Sequence, residues 1–316
     1  MKLRPYQRDG IEQTIGAFES GESRVLLCAP TGCGKTVMAS DICKRFQPVA
    51  WVAHRRELLE QAAKALTDID FVTISAHATN IPDRKFGLVV LDECHHEACV
   101  TYKNLIERIK FDKLLGITAT PSRLDRMALR FNKLIEITNY GVLVNDGFLA
   151  KARLFRVRTE EDTLRDLSEW AKYYRYYIGP TIFFVRSIKE AERVKVALGD
   201  AEVICANSDR SMQLERFRAR RVQFLISCLV LTEGVDLPMC QTVILGRETD
   251  SKTLLNQMIG RAVRPDDGKS YCNIVEPAQV FDSHSKVAVS SIITPSEQFI
   301  SYRGSILESV FETARI

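Results

Sequence analysis

The chain has 316 residues, of which 46% are hydrophobic and 27% charged, and its formal net charge is +4. The length predicts about two domains, and the composition is typical of soluble globular proteins, with no sign of disorder or low complexity. No apolar run approaches the roughly 18 residues that span a membrane, so we expect no membrane partner. The small basic excess is compatible with a nucleic-acid partner but does not establish one.

The nine cysteines are scattered singly through apolar stretches. They do not form the spaced pattern of a disulfide framework, and free thiols of this kind are typical of a reducing compartment. The opening MKLRPYQRDG lacks the apolar core of a secretion signal. We therefore expect a cytoplasmic protein.

The first part of the chain alternates short apolar runs with helical patterns. Apolar residues at Ile11, Ile15 and Phe18 predict a helix after Pro5. Alternation of this kind predicts a parallel sheet that is covered by helices on both faces. Strands are expected at Arg24–Cys28, Val49–His54, Phe71–Ser75, Phe86–Asp92 and Lys113–Thr120, and helices at Val37–Phe46, Glu57–Leu66 and around Leu105–Ile109.

A second alternating series follows a looser region, Pro121 to about Ala150, which includes a strand at Leu134–Thr138. The series predicts a second α/β domain of similar size. We place the domains at residues 1–148 and 149–279, followed by an extension, 280–316, of unknown role. Strands are expected at Thr181–Val185, Val203–Ala206, Phe224–Leu231, Thr242–Leu245 and Tyr271–Val275, and helices at Leu164–Tyr177, Ile188–Leu198, Met212–Arg221 and Leu254–Val263.

The stretch APTGCGKT, Ala29–Thr36, joins the first predicted strand to a helix. Gly32 and Gly34 lack a Cβ, so the backbone can turn its N–H groups toward phosphate oxygens at the helix N-terminus. In such a loop Lys35 reaches the β- and γ-phosphates, and the Thr36 hydroxyl is a ligand for Mg²⁺. The nucleotide-binding residues of the loop are therefore expected to be Thr31, Gly32, Cys33, Gly34, Lys35 and Thr36.

An acidic pair, Asp92 and Glu93, ends the apolar run FGLVVLD. Ligands of parallel α/β sheets bind outside the carboxyl ends of the strands, so the pair should lie beside the phosphate-binding loop. Two carboxylates at this position can take two different roles in nucleotide hydrolysis. Asp92 holds Mg²⁺, and Glu93 orients and deprotonates the attacking water.

A zinc site at the neighbouring residues is rejected. Cys94, His95, His96 and Cys99 crowd one turn of chain, and a second ligand cluster with zinc-site spacing is missing from the sequence. Ligands packed so closely rarely converge on a tetrahedral ion. Polar residues at a strand-to-helix turn explain the group better.

The motifs occur in the order of a known family. They are LRPYQ from Leu3, APTGCGKT from Ala29, AHRREL from Ala53, DECH from Asp92, TAT from Thr118, FFVRS from Phe183, LTEGVDLP from Leu231 and QMIGRAVRP from Gln257. This ordered set resembles the core of the superfamily 2 helicases and translocases over nearly the whole chain. The DECH sequence and the LRPYQ opening resemble its DNA repair, recombination and restriction-motor branch more than the RNA branch.

The resemblance implies two tandem RecA-like α/β domains, each a mainly parallel sheet flanked by helices. It implies that ATP and Mg²⁺ bind in the cleft between the domains and that nucleic acid, with DNA favoured, crosses both. Gln7 would read the adenine edge, and Arg261 and Arg264 would stabilise charge on the γ-phosphate in the transition state. Further matched positions are Gly234 and Asp236 at the nucleotide, Gln257 in catalysis, His95, Thr118 and Thr120 in coupling, and His54, Arg55, Arg186 and Thr232 at the strand.

Several functions remain open at this point. The favoured one is an ATP-dependent DNA helicase or translocase, with an RNA helicase as an alternative. Because the sequence shows no accessory module after the last motif, protein partners could supply strand separation or targeting. The chain would then be the motor subunit or an ATP-gated clamp of a larger DNA-processing complex. A small-molecule phosphotransferase would share the phosphate-binding loop, but it leaves the motifs of the second domain unexplained.

Overall fold

A computed structural model describes residues 3–94, 96–119, 130–205, 208, 210–228, 235, 237–281, 287–302 and 305–310. The chain forms two compact units, which are called unit 1 (residues 1–139) and unit 2 (residues 140–316). Both are α/β units built around a largely parallel sheet, as the sequence predicted.

The described residues of unit 1 form a six-stranded sheet in which every neighbouring pair is parallel. The strands are β1 (Arg24–Cys28), β2 (Val49–Ala53), β3 (Phe71–Ser75), β4 (Lys85–Asp92), β5 (Lys110–Thr118) and β6 (Lys133–Glu136). The helices are α1 (Pro5–Glu19), α2 (Lys35–Cys43), α3 (Arg56–Ala65) and α4 (His96–Ile106). The order across the sheet is β3-β2-β4-β5-β1-β6.

The central strands of unit 1 are buried on both faces. Every residue of β2 is buried, as is every residue of β1 after Arg24, which is why these strands read as continuous apolar runs and not as alternating ones. Phe86 and Tyr102 are fully buried in the same hydrophobic core. The sheet thus holds the carboxyl ends of β1, β4 and β5 together at one edge, where ligands of such sheets bind.

Unit 2 contains, in its described residues, an eight-stranded sheet ordered β14-β13-β7-β12-β11-β8-β10-β9, parallel except for the β13–β14 pair. The strands are β7 (Lys151–Arg158), β8 (Thr181–Val185), β9 (Ala201–Ile204), β10 (Phe224–Cys228), β11 (Thr242–Leu245), β12 (Tyr271–Pro277), β13 (Glu297–Tyr302) and β14 (Ser305–Val310). The helices are α5 (Tyr140–Asn145), α6 (Thr163–Tyr173), α7 (Arg175–Ile178), α8 (Ile188–Leu198), α9 (Arg210–Arg218), α10 (Lys252–Ile259) and α11 (Ala278–Phe281), and a 3-10 turn covers Val289–Ser291.

Three features of unit 2 differ from the sequence expectations. Strand β7 was not predicted, because its sequence KARLFRVR places charged residues between the apolar ones. The segment after residue 280 was not assigned structure, yet it supplies β13 and β14. The helix predicted to reach Val263 ends at Ile259, where Gly260 follows and short-range turn bonds replace the helical ones.

A buried polar network fixes the late strand β13 to the sheet. The Arg156 Nε donates to Glu276 Oε1 at 3.2 Å, and Arg156 Nη1 donates to Gln298 Oε1 at 2.8 Å. The backbone N–H of Val289 donates to the second oxygen of Glu276 at 3.1 Å. Burial raises the pKa of Glu276, while Val289 and Arg156 oppose the rise. The network therefore joins β7, β12 and β13 through a charge pair with little access to water.

Of the helices in the described ranges, none is both long enough and apolar enough to cross a membrane. The eight cysteines that the structure describes are free thiols, and seven of them are buried.

Candidate active site

The phosphate-binding loop adopts backbone angles that require glycine at its turn into α2. Gly32 and Gly34 have φ values of 90° and 85°, in the left-handed region that costs other residues about 1–2 kcal/mol. A Cβ on Gly34 would also lie 2.5 Å from the side-chain nitrogen of Gln7. The loop is thus a backbone cradle at a helix N-terminus, the arrangement that binds phosphate.

Two side chains of α1 hold this loop from behind. The Tyr6 hydroxyl and the Gln7 amide nitrogen both donate to the carbonyl of Cys33, at 2.8 Å and 2.9 Å. The amide oxygen of Gln7 accepts from the backbone N–H of Arg4 at 2.9 Å. Gln7 is therefore part of the support of the loop, and within the described residues one hydrogen and one lone pair of its amide have no further bond. The role of Tyr6 was missed, although it is adjacent to Gln7 in the motif.

Lys35 lies inside the site between the loop and the acidic pair. It begins α2, only 7% of its side chain is exposed, and its Nζ is 3.8 Å from Glu93 Oε1. The same ammonium donates to the carbonyl of Ala29 at 3.3 Å. The predicted phosphate-binding lysine and the predicted general base are thus neighbours in the folded chain.

The acidic pair stands at the end of β4, one strand away from the loop. Strand β5 lies between β4 and β1, and its residues Ile117 and Thr118 pair with Asp92 and Cys28. Burial raises the pKa of Asp92 to about 7, the Glu93 carboxylate adds to the rise, and Lys35 opposes it. Glu93 itself has a φ of 48°, a strained angle of the kind found at functional residues.

The residues of unit 1 fit a nucleotide with a divalent cation. The hydroxyl oxygen of Thr31 is buried, and no described group is within hydrogen-bonding distance of it, so it is available to a ligand. Two carboxyl groups lie beside one ammonium, and a divalent cation would relieve the repulsion by Glu93 that contributes to the raised pKa of Asp92. Thr36 follows Lys35 in the first turn of α2 and is partly exposed, so its hydroxyl is accessible to that cation.

We expect Gly34→Ala to lower the affinity for ATP by about tenfold, because the left-handed angle of Gly34 costs alanine about 1–2 kcal/mol and a tenfold change in affinity corresponds to about 1.4 kcal/mol. The added Cβ would also push the Gln7 side chain away from the loop. Gly16→Ala is the matched control, since Gly16 lies in α1 with no atom within 4 Å of an added Cβ. That change should leave binding unaltered. Titration of both variants with a fluorescent ATP analogue measures the affinity, and thermal unfolding shows whether both variants are folded. Equal affinities would contradict the role of the loop.

The motifs that follow β2 and β5 connect to the same site. The backbone N–H of Ala29 donates to the carbonyl of Thr118 at 3.1 Å, which ties the start of the phosphate-binding loop to the end of β5. Nδ1 of His54 is 3.4 Å from the hydroxyl of Tyr102, and that hydroxyl is 2.6 Å from the carbonyl oxygen of Asp92. Arg55 precedes α3 as its N-cap residue. Tyr102 was not anticipated, because its partners are distant in the sequence.

Unit 2 contains the predicted residues of the last motif. Gln257 is buried in α10, and the buried Arg261 donates from Nη1 to the carbonyl of Val235. Arg264 is partly buried. Because α10 ends at Ile259, the two arginines lie in the turns that follow the helix.

Arg186 follows β8 and is largely exposed. Its guanidinium is 3.7 Å from the Glu248 carboxylate, and its backbone N–H donates to Glu190 at 2.7 Å. The helix α8 begins directly after it with a capping box formed by Ser187 and Glu190. The remaining predicted site residues lie outside the described residues, namely His95, Thr120, Thr232, Gly234 and Asp236. The side chains of His96 and Cys99 are outside them as well.

Two family models match the chain in sequence. The model described as "Type III restriction enzyme, res subunit" matches residues 1–75 and 65–123. The model described as "Helicase conserved C-terminal domain" matches residues 166–266. Together they include the phosphate-binding loop, the acidic pair and both arginines of the last motif.

Curated relatives and solved structures agree with these matches. The "Putative ATP-dependent helicase IRC3" of Saccharomyces cerevisiae is 23% identical over 92% of this chain and 53% of its own length. The "Type I restriction enzyme EcoAI endonuclease subunit" of Escherichia coli is 24% identical over 86% of this chain and 46% of its own length. The chain therefore spans about half the length of these curated relatives.

Among solved structures, a fragment of a putative HsdR subunit of a type I restriction enzyme from Vibrio vulnificus YJ016 superposes with a TM-score of 0.75 at 22% identity, covering 98% of this chain and 70% of that one. The type ISP restriction-modification enzyme LlaBIII, bound to DNA, gives a TM-score of 0.68 at 16% identity over 88% of this chain and 28% of that one. At these identities the likeness shows the fold. With both family models and the ordered motifs, the chain belongs to the superfamily 2 helicases and translocases, on the restriction-motor branch.

Proposed function

We propose that the chain is the ATP-hydrolysing motor core of a DNA helicase or translocase. The observation that carries this proposal is the contact of Lys35 with Glu93 beneath a glycine cradle, since it joins a phosphate-binding group to a general base. A purely structural turn does not require a buried lysine, two carboxyl groups and two left-handed glycines at the same edge of a sheet.

In the proposed reaction the residues of unit 1 bind and orient ATP. The backbone N–H groups from Gly32 to Thr36 hold the phosphates, and Lys35 neutralises charge on the terminal one. Glu93 holds the attacking water and takes its proton. Thr36 and Asp92, directly or through water, would hold a Mg²⁺ ion, which would supply charge neutralisation on the phosphate oxygens. Gln7 supports the loop and offers the free part of its amide to the adenine.

Unit 2 supplies the second half of the proposed mechanism. Arg261 and Arg264 would stabilise negative charge on the γ-phosphate in the transition state. Arg261 also holds the carbonyl of Val235, so it links the last motif to the one before it. Gly234 and Asp236 approach the nucleotide, and Gln257, His95, Thr118 and Thr120 relay its state. ATP binding and hydrolysis would then switch the protein between states of high and low affinity for the nucleic-acid strand.

The proposed substrate is DNA, held mainly by its phosphates. His54 and Arg55 contact the strand from unit 1, and Arg186 and Thr232 contact it from unit 2. Phosphate contacts give affinity without sequence specificity. The restriction-enzyme relatives favour DNA, and LlaBIII has been solved bound to DNA.

A role as the motor part of a larger assembly is a second candidate. Its specific support is that two similar proteins are named as subunits of restriction enzymes. Partners would supply strand separation or targeting. We expect the protein to work on nucleic acid in a reducing compartment, and a cytoplasmic location stays a prediction.

The proposal is tested by the ATPase rate of the purified chain with single-stranded DNA, duplex DNA, forked DNA and RNA, alongside strand displacement on the same forks. We expect DNA to stimulate hydrolysis. Stimulation by RNA alone would favour an RNA helicase, and stimulation without displacement would favour a translocase or a motor subunit. A chain that no nucleic acid stimulates, but that phosphorylates a small molecule, would overturn the proposal in favour of a phosphotransferase.

A further inference from the structure

A hydrogen-bonded chain of three residues connects the end of β2 to the end of β4 in unit 1. The hydroxyl of Tyr102, on α4, lies 2.6 Å from the carbonyl oxygen of Asp92. The same hydroxyl lies 3.4 Å from Nδ1 of His54. Tyr102 is fully buried, so its hydroxyl is held in place by the groups that surround it.

The hydrogen-bonding roles follow from the number of protons. A carbonyl oxygen can only accept, so the single hydroxyl proton of Tyr102 is donated to Asp92. The Tyr102 oxygen then accepts, and Nδ1 of His54 must carry the proton in this contact. His54 is therefore the donor at one end of the chain, and the Asp92 carbonyl is the acceptor at the other.

The hydrogen bond from Tyr102 to the Asp92 carbonyl affects Glu93, because this carbonyl belongs to the peptide unit that precedes Glu93. Glu93 has a φ of 48°, an angle that is strained for a residue with a side chain and persists only where its surroundings enforce it. On the far side the backbone N–H of Cys94 donates to the carbonyl of Ile117 at 3.2 Å. Tyr102 and Ile117 thus fix the peptide units on either side of the general base.

We propose that Tyr102 is a positioning residue for Glu93 and that His54 controls it, so that a strand bound at His54 is sensed at the catalytic carboxylate. This inference rests on the proposed function, in which His54 contacts nucleic acid. A phosphate held by the imidazole fixes the ring with its Nδ1–H directed at Tyr102. The hydroxyl then holds the Asp92 carbonyl, and Glu93 keeps the orientation that hydrolysis needs.

The first test is Tyr102→Phe, which removes the hydroxyl and keeps the ring. We expect kcat at saturating ATP and DNA to fall about tenfold, the effect of losing one buried hydrogen bond. KM for ATP should not change, because the phosphate-binding loop and Lys35 are untouched. A purely structural role would lower the unfolding temperature and leave kcat per folded molecule unaltered. An unchanged kcat overturns the inference.

The second test compares His54→Asn with His54→Ala at saturating DNA and does not depend on the folding of the Tyr102 variant. Both changes remove Nε2, so both alter the contact with the strand, but the asparagine amide nitrogen occupies the position of Nδ1 and can still donate to Tyr102. We expect kcat to be retained in His54→Asn and to fall in His54→Ala. Equal kcat values would overturn the inference.

The double variant His54→Ala with Tyr102→Phe completes the cycle. It should be no slower than Tyr102→Phe alone, because both changes break one chain, and independent, multiplying losses would contradict the link. The controls separate this inference from the proposed function. A wild-type chain that no nucleic acid stimulates overturns both, whereas a stimulated wild type with an unaffected Tyr102→Phe variant overturns the positioning role alone.

Discussion

Glu93→Gln is expected to lower the rate of ATP hydrolysis by about 10²–10⁴-fold, the range that a general base contributes, while ATP still binds. Glutamine keeps the shape of the side chain and loses the group that accepts the proton of water. Lys35 and the phosphate-binding loop remain, so the affinity for nucleotide is retained. Steady-state ATPase assays with DNA, together with titration of a fluorescent ATP analogue, measure the two quantities separately.

Glu60→Gln is the matched control for this variant. Glu60 is an exposed residue of α3 whose carboxylate is 2.9 Å from Arg56, and a surface pair of this kind contributes little. Its removal should leave both hydrolysis and binding at wild-type values. A Glu93→Gln variant as active as the wild type would remove Glu93 from the proposed mechanism.

Glu276→Ala is expected to destabilise unit 2 by about 3–5 kcal/mol, because it leaves the buried charge of Arg156 without its carboxylate. The pair has exposures of only 12% and 1%, and Glu276 also accepts from the backbone of Val289. For a unit of this size the loss corresponds to a fall of roughly 10 °C in unfolding temperature. Urea and thermal denaturation followed by circular dichroism give both values.

Two further variants test whether burial of the charge pair causes the loss of stability. Glu297→Ala removes the partner of Arg153, a pair of 37% and 27% exposure that joins β7 to β13, and should cost no more than about 1 kcal/mol. The double change Arg156→Met with Glu276→Leu removes both buried charges and should be far less harmful than Glu276→Ala. Similar losses for Glu276→Ala and Glu297→Ala would contradict the importance of burial.

The parts of the site that were predictable are those encoded locally. The loop around Gly34 and Lys35 was identified because strand, glycine turn and helix follow one another in the sequence. The acidic pair was identified because a buried parallel strand brings its end to the ligand-binding edge. The fold class followed from the alternation of apolar runs with helical patterns. In each case neighbouring residues determine the chemistry.

The parts that were missed depend on distant pairing. Tyr102 meets His54 across 48 residues, and Tyr6 meets Cys33 across 27, so no local pattern signals either contact. Strand β7 was hidden because its exposed and half-buried positions carry charge. The end of α10 was misplaced because Gly260 stops the helix within a run that otherwise has helical spacing.

The pairing of β13 with β7 affects how the protein folds while it is being synthesised on the ribosome. Strand β7 lies between β12 and β13, and the bond from Arg156 to Gln298 spans 142 residues. Pairing over such a distance is slow, and until residues 297–302 emerge β7 is an open edge that can recruit another chain. The sheet of unit 1 is complete once Glu136 has been made. Unit 1 can thus fold during translation, whereas the sheet of unit 2 cannot be completed until β13 has been synthesised.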